Sequence, residues 1–201
     1  MEPNLAYQAA LYGVDYIGIV LAESSRNTVG PNQIHDIAAA AHEGGAQPVL
    51  TCVNHPVDSI IHLCTENNIN IVQLHGDLVR RNHLLLPPTI ARIYVYNIDS
   101  KGHIINNDSS LESALNPERD YILFDSVNLG SGQRIPLDNI HHKSSHFRFF
   151  IAGGINKNNA VQIIKSCQPY AIDLSTGAEN KYGHKDLNKI REIVALVIDQ
   201  Q

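Results

Sequence analysis

Two glycine-bearing segments each follow a short apolar run of the chain, which is where α/β proteins place ligand sites. Gly153 and Gly154 follow the run 147–151, and Ser175 and Gly177 follow the next such run. Glycines at strand ends let backbone N–H groups approach an anion closely, and a helix that begins there favours negative charge. A single glycine pair is often only a tight turn. Two such segments at successive strand ends predict a phosphate site.

A carboxyl group stands at another strand end. Asp125 directly follows the apolar run 121–124, and a polar loop that contains Gly130 and Gly132 comes after it. Partly desolvated walls at a strand end disfavour the ionised carboxylate, as a general acid near neutral pH requires. The alternative is an aspartate that caps its own loop through hydrogen bonds to the backbone. Asp125 is therefore a candidate catalytic acid, and the structural role stays open beside it.

Two further polar side chains follow predicted strands. His75, after the run 70–74, can donate a hydrogen bond to a substrate or simply bond to a neighbouring carbonyl. Arg26, after the run 16–21, can clamp a carboxylate with two parallel hydrogen bonds, although most loop arginines are merely solvated. The position of Arg26 at the same kind of strand end favours a role in binding.

Four residues of the types that zinc uses lie close together in the sequence. They are Cys52, His55, His62 and Cys64. His62 and Cys64 are two positions apart on a predicted helix and do not face each other, whereas Cys52 lies on a strand. We therefore expect no metal site.

The elements that must position these residues alternate short β-rich runs with longer amphipathic stretches. Strands are predicted at 16–21, 47–53, 70–74, 91–96, 121–124, 147–151 and 171–174. Helices are predicted at 3–12, 31–43, 56–67, 78–85, 110–115, 137–142, 157–165 and 186–198. This alternation is typical of a parallel α/β sheet.

Seven strands, each followed by a helix and all preceded by the helix 3–12, predict a (β/α)8 TIM barrel. Strand 1 of that barrel is missing from this chain, so residues 1–201 form one N-terminally truncated barrel domain in this interpretation. An open, doubly wound sheet of seven strands needs no closure and stays open as the alternative. Two unpaired strand edges would weaken the fold or be covered by a second copy in a homodimer.

The composition limits the classes of binding partner and indicates the cellular compartment. The 15 basic residues against 20 acidic ones give a net charge of −5, and no basic cluster has interleaved aromatics, so neither nucleic acid nor an anionic membrane is a natural partner. No apolar run approaches the roughly 20 residues that a membrane span needs. Three cysteines match no disulfide framework, which indicates a reducing, cytoplasmic location.

In chain order, six segments resemble the phosphoribosylanthranilate isomerases of tryptophan biosynthesis. These segments are DYIGIVLAESSRNTV, QLHG, FD-x4-GSG, IAGGI, DLSTGAE and GHKD, and the resemblance covers about residues 13–198. It implies a single-domain (β/α)8 barrel that uses no cofactor. It also implies the substrate, a small phosphosugar: N-(5-phosphoribosyl)anthranilate, which undergoes an Amadori rearrangement to 1-(o-carboxyphenylamino)-1-deoxyribulose 5-phosphate.

The resemblance also implies roles for individual residues. Asp125 matches the general acid that protonates the ribose ring oxygen, and Arg26 matches the arginine that holds the anthranilate carboxylate. The resemblance also assigns the phosphate cradle to Gly153, Gly154, Ser175 and Gly177. It assigns the active-site loop to Gly130 and Gly132. His75 is left as a substrate contact.

The sequence departs from the family at its beginning. The family starts with a strand that carries Lys-x-Cys-Gly, whose cysteine is the general base, and nothing like it precedes Pro3 here. We expect the complete protein to supply this strand, and the chain as given to be impaired without it. Within the chain, Cys52 is a poor substitute because burial raises the pKa of a thiol, and His75 is a better one.

Two other classes of function remain as alternatives. One is a non-catalytic, phosphosugar-binding barrel remnant, which keeps the cradle and has lost the base. The other is a different phosphate-binding barrel enzyme, such as a phosphosugar epimerase or a thiamine phosphate synthase. Turnover of the substrate separates the first alternative from an isomerase, because both predict phosphate binding.

Overall fold

The structure, a computed structural model, describes residues 1–22, 28–99, 103–106, 113–126 and 146–200. The chain divides into two compact units. One consists of Met1–Tyr94 and Ser110–Leu115, and the other of Val95–Ser109 and Asn116–Gln201. The single-domain organisation predicted from the sequence stays a prediction.

The first unit alternates helices and strands. In chain order its elements are α1 (Pro3–Leu11), β1 (Tyr16–Leu21), α2 (Pro31–Glu43), β2 (Gln47–Cys52), α3 (Val57–Glu66), β3 (Ile71–Leu74), α4 (Asp77–Arg81), a 3-10 turn (His83–Leu85) and the first half of β4 (Ala91–Ile98). No helix in the described part of the chain has the length and apolar character that crossing a membrane requires.

The second unit holds the end of β4 and the remaining described elements. These are β5 (Tyr121–Ser126), β6 (Phe149–Ala152), α5 (Ala160–Cys167), β7 (Ala171–Ile172), a 3-10 turn (Thr176–Ala178) and α6 (Leu187–Ile198). The predicted helix 137–142 lies outside the described residues. Of the predicted helix 110–115, residues 110–112 lie outside the described residues, and the prediction is wrong over 113–115: residues 113 and 114 form a turn and 115 has no regular structure. A helix could not have continued far, because Asn116 precedes Pro117 and is disfavoured in the helical conformation.

The strands follow one another in the sheet in the order in which they occur in the chain, from β1 to β7. Within each unit the paired strands are parallel, for example β1 with β2 and β5 with β6. A doubly wound sheet reverses its strand order at a switch point, whereas a (β/α)8 barrel does not. The observed order is therefore that of the predicted barrel class.

Burial explains why the strands read as continuous apolar runs. All four residues of β3 are buried, and so are all four of β6. Parallel strands covered on both faces have no solvent side that would demand polar residues at alternate positions. Within the second unit, Tyr96 of β4 and Phe124 of β5 are fully buried and stack with ring centroids 6.0 Å apart.

The predicted helix 78–85 is divided in the structure into α4 and a 3-10 turn, because backbone N–H donors are missing after it. A helix through this segment would direct the carbonyls of His83 and Leu84 to the N–H groups of residues 87 and 88, but both are prolines. The buried guanidinium of Arg92 in β4 instead donates to the carbonyl of His83, at 3.2 Å, and to that of Leu86. The segment therefore ends as a separate 3-10 turn.

A buried carboxylate fixes the start of β5. Asp120 is fully buried and accepts hydrogen bonds from Arg119 Nε at 2.8 Å, Arg119 Nη2 at 2.7 Å and the backbone N–H of Asn116 at 2.9 Å. The hydrogen bond to Asp120 raises the pKa of Arg119. The turn 116–120 thereby sets where β5, and with it Asp125, begins.

We expect Asp120→Ala to lower the free energy of unfolding by about 2–4 kcal/mol, because it leaves the donors of Arg119 and Asn116 without their acceptor. Urea denaturation followed by circular dichroism measures the change. Glu118→Ala is the matched control, since this neighbour is exposed and its contacts within the described residues are made by its backbone. Equal stability of the two variants would contradict the role of Asp120 as the acceptor that fixes this turn.

Candidate active site

The carboxyl ends of three neighbouring parallel strands form one edge within the second unit. Asp125 of β5 is paired in register with Ala152, the last residue of β6. Ile151 of β6 is paired in the same way with Ile172, the last residue of β7. Because parallel strands end at a common edge, the segments that follow β5, β6 and β7 meet there. The structure therefore places the predicted acid beside the predicted glycine segments.

Two glycines allow the backbones of these segments to touch. Gly153 has a φ of +99°, and a Cβ atom built on it would lie 1.8 Å from the carbonyl oxygen of Ser126. A Cβ atom on Gly177 would lie 1.8 Å from the carbonyl oxygen of Ile155. Any side chain at either position would have to displace a neighbouring backbone. The glycines predicted from the sequence are thus required for close packing of the strand ends.

We call residues 153–155 and 175–177 the cradle. Among the described residues, no hydrogen-bond partner is present for the backbone N–H of Gly154, Ile155, Thr176 or Gly177. Gly153 and Gly154 both have positive φ, +99° and +63°, so the chain turns sharply here, and successive N–H groups in a turn can form an anion-binding concavity. The cradle can therefore donate several hydrogen bonds to the oxygen atoms of an anion.

Two carbonyl groups of the cradle are held by side chains. The carbonyl oxygen of Gly154 accepts from Asn156 Nδ2 at 3.0 Å and from Asn159 Nδ2 at 3.1 Å. The carbonyl oxygen of Ser175 accepts from Lys185 Nζ at 2.8 Å. Sequence reasoning gave none of these three side chains a role. The only signals were the asparagine-rich stretch 156–159 and the lysine of the GHKD motif.

Asp125 lies within β5, one residue before the strand ends. Its neighbours Phe124 and Ser126 are buried, whereas Asp125 is partly exposed. The strand therefore holds the backbone, and the carboxyl group is accessible at the edge next to the cradle. Strand position and accessibility are what a proton donor to a bound ligand requires.

The structure fixes His75 by its backbone. Its N–H donates to the carbonyl of Cys52 at 2.9 Å, and its carbonyl accepts from Arg80 Nη1 at 3.1 Å. The next residue, Gly76, packs so closely on Val53 that a Cβ atom would lie 1.9 Å from the Val53 carbonyl oxygen. His75 is thus held at the carboxyl end of β3 in the first unit. The other predicted site residues, Arg26, Gly130 and Gly132, lie outside the described residues.

The zinc-type residues separate into core and surface positions. Cys52 and Cys64 are buried, and burial raises the pKa of both thiols, that of Cys64 to about 12. His62 instead lies at the surface, with Nε2 3.3 Å from Glu66 Oε2. Within the described ranges no three His, Cys, Asp or Glu side chains come together as a metal ion needs. The raised pKa also makes Cys52 a poor base, as expected from the sequence.

Burial of the thiols makes stability depend on pH. Burial raises the pKa of Cys167 from 9.0 to about 11. Between these values the unfolded chain has lost the thiol proton and the folded chain keeps it, so the free energy of unfolding falls as pH rises above 9.

We expect this thiol to cost about 1 kcal/mol of stability between pH 8 and pH 10, since one pKa unit corresponds to about 1.4 kcal/mol. The measurement is urea denaturation at both pH values for the wild type and Cys167→Ala. The variant lacks the thiol and should lose less stability over the same interval. Parallel losses in the two proteins would refute this pKa assignment.

Comparison with known sequences gives consistent matches along the chain. A profile of the family described as N-(5'phosphoribosyl)anthranilate (PRA) isomerase matches residues 4–196. The N-(5'-phosphoribosyl)anthranilate isomerase of Bacillus cereus (strain G9842) is 34% identical over 193 residues, which are 92% of this chain and 88% of that protein.

Two solved structures share the fold. A monomeric form of the dimeric phosphoribosylanthranilate isomerase from Thermotoga maritima aligns with a TM-score of 0.77 and 24% identity, covering 98% of this chain and 94% of that one. A phosphoribosylanthranilate isomerase in complex with reduced 1-(o-carboxyphenylamino)-1-deoxyribulose 5-phosphate aligns with a TM-score of 0.74 and 24% identity over the same shares of the two chains. With the strand order, these matches confirm the predicted (β/α)8 class.

Proposed function

Because the chain belongs to the N-(5'-phosphoribosyl)anthranilate isomerase family, we propose that it converts N-(5-phosphoribosyl)anthranilate to 1-(o-carboxyphenylamino)-1-deoxyribulose 5-phosphate in tryptophan biosynthesis. The observation that carries this proposal within the structure is the shared edge of β5, β6 and β7, which holds Asp125 beside the cradle. Relatives that are isomerases favour an enzyme over the non-catalytic remnant.

Asp125 acts in this proposal as the general acid. Its carboxyl proton goes to the ribose ring oxygen, the bond between that oxygen and C1 breaks, and the nitrogen lone pair forms an iminium. The positive charge makes the proton on C2 acidic, and its transfer to the general base gives an enolamine. A proton is then added at C1 and the C2 hydroxyl loses its proton, which forms the C2 carbonyl of the product. Substrate and product have the same atoms and oxidation level, so the reaction needs no cofactor.

The cradle binds the substrate phosphate in this proposal. The residues predicted to form it are Gly153, Gly154, Ser175 and Gly177, and backbone N–H groups of the two segments are the donors in this proposal. A dianionic phosphate matches several convergent donors. Support comes from the solved family member with a bound phosphosugar derivative, whose fold this chain shares. Holding the phosphate beside the end of β5 orients the ribose relative to Asp125, which reduces the entropic cost of proton transfer.

The other predicted site residues have roles in the same proposal. Arg26 binds the anthranilate carboxylate with its planar guanidinium, and Gly130 and Gly132 belong to the active-site loop that follows the acid, as the family resemblance implies. His75 contacts the substrate.

The setting of the protein is also part of the proposal. The partner is a small phosphosugar substrate, and a homodimer is supported by the dimeric relative from Thermotoga maritima. A cytoplasmic location is supported by the three buried, free cysteines. The chain forms one domain.

We expect Asp125→Asn to lower kcat by about a hundredfold or more, because general acid catalysis contributes at least that factor. The assay follows the loss of fluorescence of phosphoribosylanthranilate. Asp36→Asn is the control for loss of one carboxylate, since Asp36 is exposed on α2. An active Asp125→Asn variant would exclude Asp125 as the acid.

His75→Ala tests whether a histidine of this chain takes the C2 proton. As a substrate contact, His75 should affect KM and leave the shape of the pH–rate profile unchanged. Loss of the limb near pH 6–7 would instead identify His75 as the base.

Both assays are run on the 201-residue chain and on the same chain preceded by a Lys-x-Cys-Gly strand, where the family resemblance places the base. Absence of turnover in both forms would refute the proposed function.

A further inference from the structure

The ammonium group of Lys185 is held between the cradle and a buried carboxylate. Lys185 Nζ donates to the carbonyl oxygen of Ser175 at 2.8 Å and to Glu179 Oε1 at 3.2 Å. The Glu179 side chain is 5% exposed and that of Lys185 is 17% exposed. The pair is largely removed from water, where charge-assisted hydrogen bonds are stronger than at the surface, and these bonds hold the atoms that it contacts in place.

A short hairpin brings Lys185 to this position. Glu179 and Lys185 form an isolated antiparallel bridge, and Asn180 N–H donates to the carbonyl of His184 at 2.7 Å across the turn. The side chain of Asp186 then accepts from the N–H groups of residues 188 and 189 and starts α6. Lys189 Nζ donates to the carbonyl of Glu179 at 2.6 Å. The GHKD motif thus connects the start of α6 to the cradle through hydrogen bonds.

Holding the Ser175 carbonyl sets the direction of a cradle donor. In a planar trans peptide, the C=O of Ser175 and the N–H of Thr176 point in opposite directions. The Thr176 N–H therefore points away from Lys185, and its direction is fixed as long as the carbonyl is held. Within the described chain this N–H and that of Gly177 have no hydrogen-bond acceptor.

The other half of the cradle is built in the same way. Asn156 and Asn159 both donate to the carbonyl of Gly154, which fixes the opposite direction of the Ile155 N–H. Each segment of the cradle therefore has one carbonyl anchored by side-chain donors and one N–H set by that anchor. The repetition in two segments with unrelated sequences indicates a common requirement for oriented donors.

We propose that Lys185, paired with Glu179, is a positioning residue that orients the Thr176 and Gly177 N–H groups for the substrate phosphate. The identity of the anion rests on the proposed function, but the orientation of the donors does not. Because Glu179 neutralises Lys185, the pair adds no net charge to the cradle. Its contribution is geometry, and this separates it from a lysine that binds phosphate directly.

The test uses the full chain and inorganic phosphate as the probe. The main variant is the double substitution Lys185→Met with Glu179→Gln, which leaves no buried carboxylate unpaired. We expect its Kd for phosphate to rise about tenfold, the KM for phosphoribosylanthranilate to rise in parallel, and kcat to change less than threefold. Lys185→Arg, with Glu179 intact, should keep most of the affinity because it keeps the positive charge and N–H donors.

The backbone amide NMR signals of the cradle distinguish a positioning role for Lys185 from a merely structural one. Phosphate should shift the backbone N–H resonances of Thr176 and Gly177 in the wild type and shift them much less in the double variant. Lys157→Met is the matched control, because Lys157 forms an exposed ion pair with Glu192, at 3.1 Å, outside the cradle. Its Kd should stay within twofold of the wild type.

Glu179→Gln alone separates geometry from charge. The proposal expects weaker phosphate binding, since a neutral amide oxygen holds the Lys185 ammonium less firmly than a carboxylate does, whereas a lysine acting by charge would bind phosphate more tightly. Tighter binding, or wild-type affinity in a folded double variant, overturns the proposal. Lys185-dependent phosphate binding without turnover, both in the 201-residue chain and in the form preceded by a Lys-x-Cys-Gly strand, would refute the isomerase function and keep the positioning role.

Discussion

The structure around the candidate site depends on backbone atoms of neighbouring strand ends lying in direct contact. Gly153 packs against the carbonyl of Ser126, and Gly177 packs against the carbonyl of Ile155. With no Cβ between them, the three segments after β5, β6 and β7 stay close enough for N–H groups from two of them to reach one anion. The same approach brings the end of β5, with Asp125, against the cradle. A larger residue at either glycine would separate all of these groups.

Most of the fold could be predicted from the sequence because burial leaves a clear pattern. The bounds of β1 and α2 match their predicted ranges, since apolar runs and flanking proline or glycine residues mark both. Predictions failed where a distant group decides the local structure. The prolines after 78–85 remove the donors of a continuous helix, but the donor that takes their place at the His83 carbonyl is Arg92, which lies on a strand later in the chain. Local propensity contains no information about such a donor.

The candidate site was predictable in part for a similar reason. Glycines and an aspartate at strand ends are recognisable in a sequence, because their position relative to an apolar run is enough. Lys185, Asn156 and Asn159 were missed, since they act on backbone carbonyls. Lys185 reaches the carbonyl of a residue ten positions earlier, and only the path of the hairpin brings them together.

The hydrogen bonds of Arg92 also couple the local opening of β4 to that of the 3-10 turn before it. The 3-10 turn at His83–Leu85 is followed by prolines where further helical donors would be, and the His83 carbonyl accepts both from the Leu86 N–H and from Arg92 of β4. Local opening of β4 therefore removes the Arg92 donors from the turn in the same event. Amide hydrogens of the two segments should then exchange with solvent as one cooperative unit, although no hydrogen bond of the regular sheet joins them.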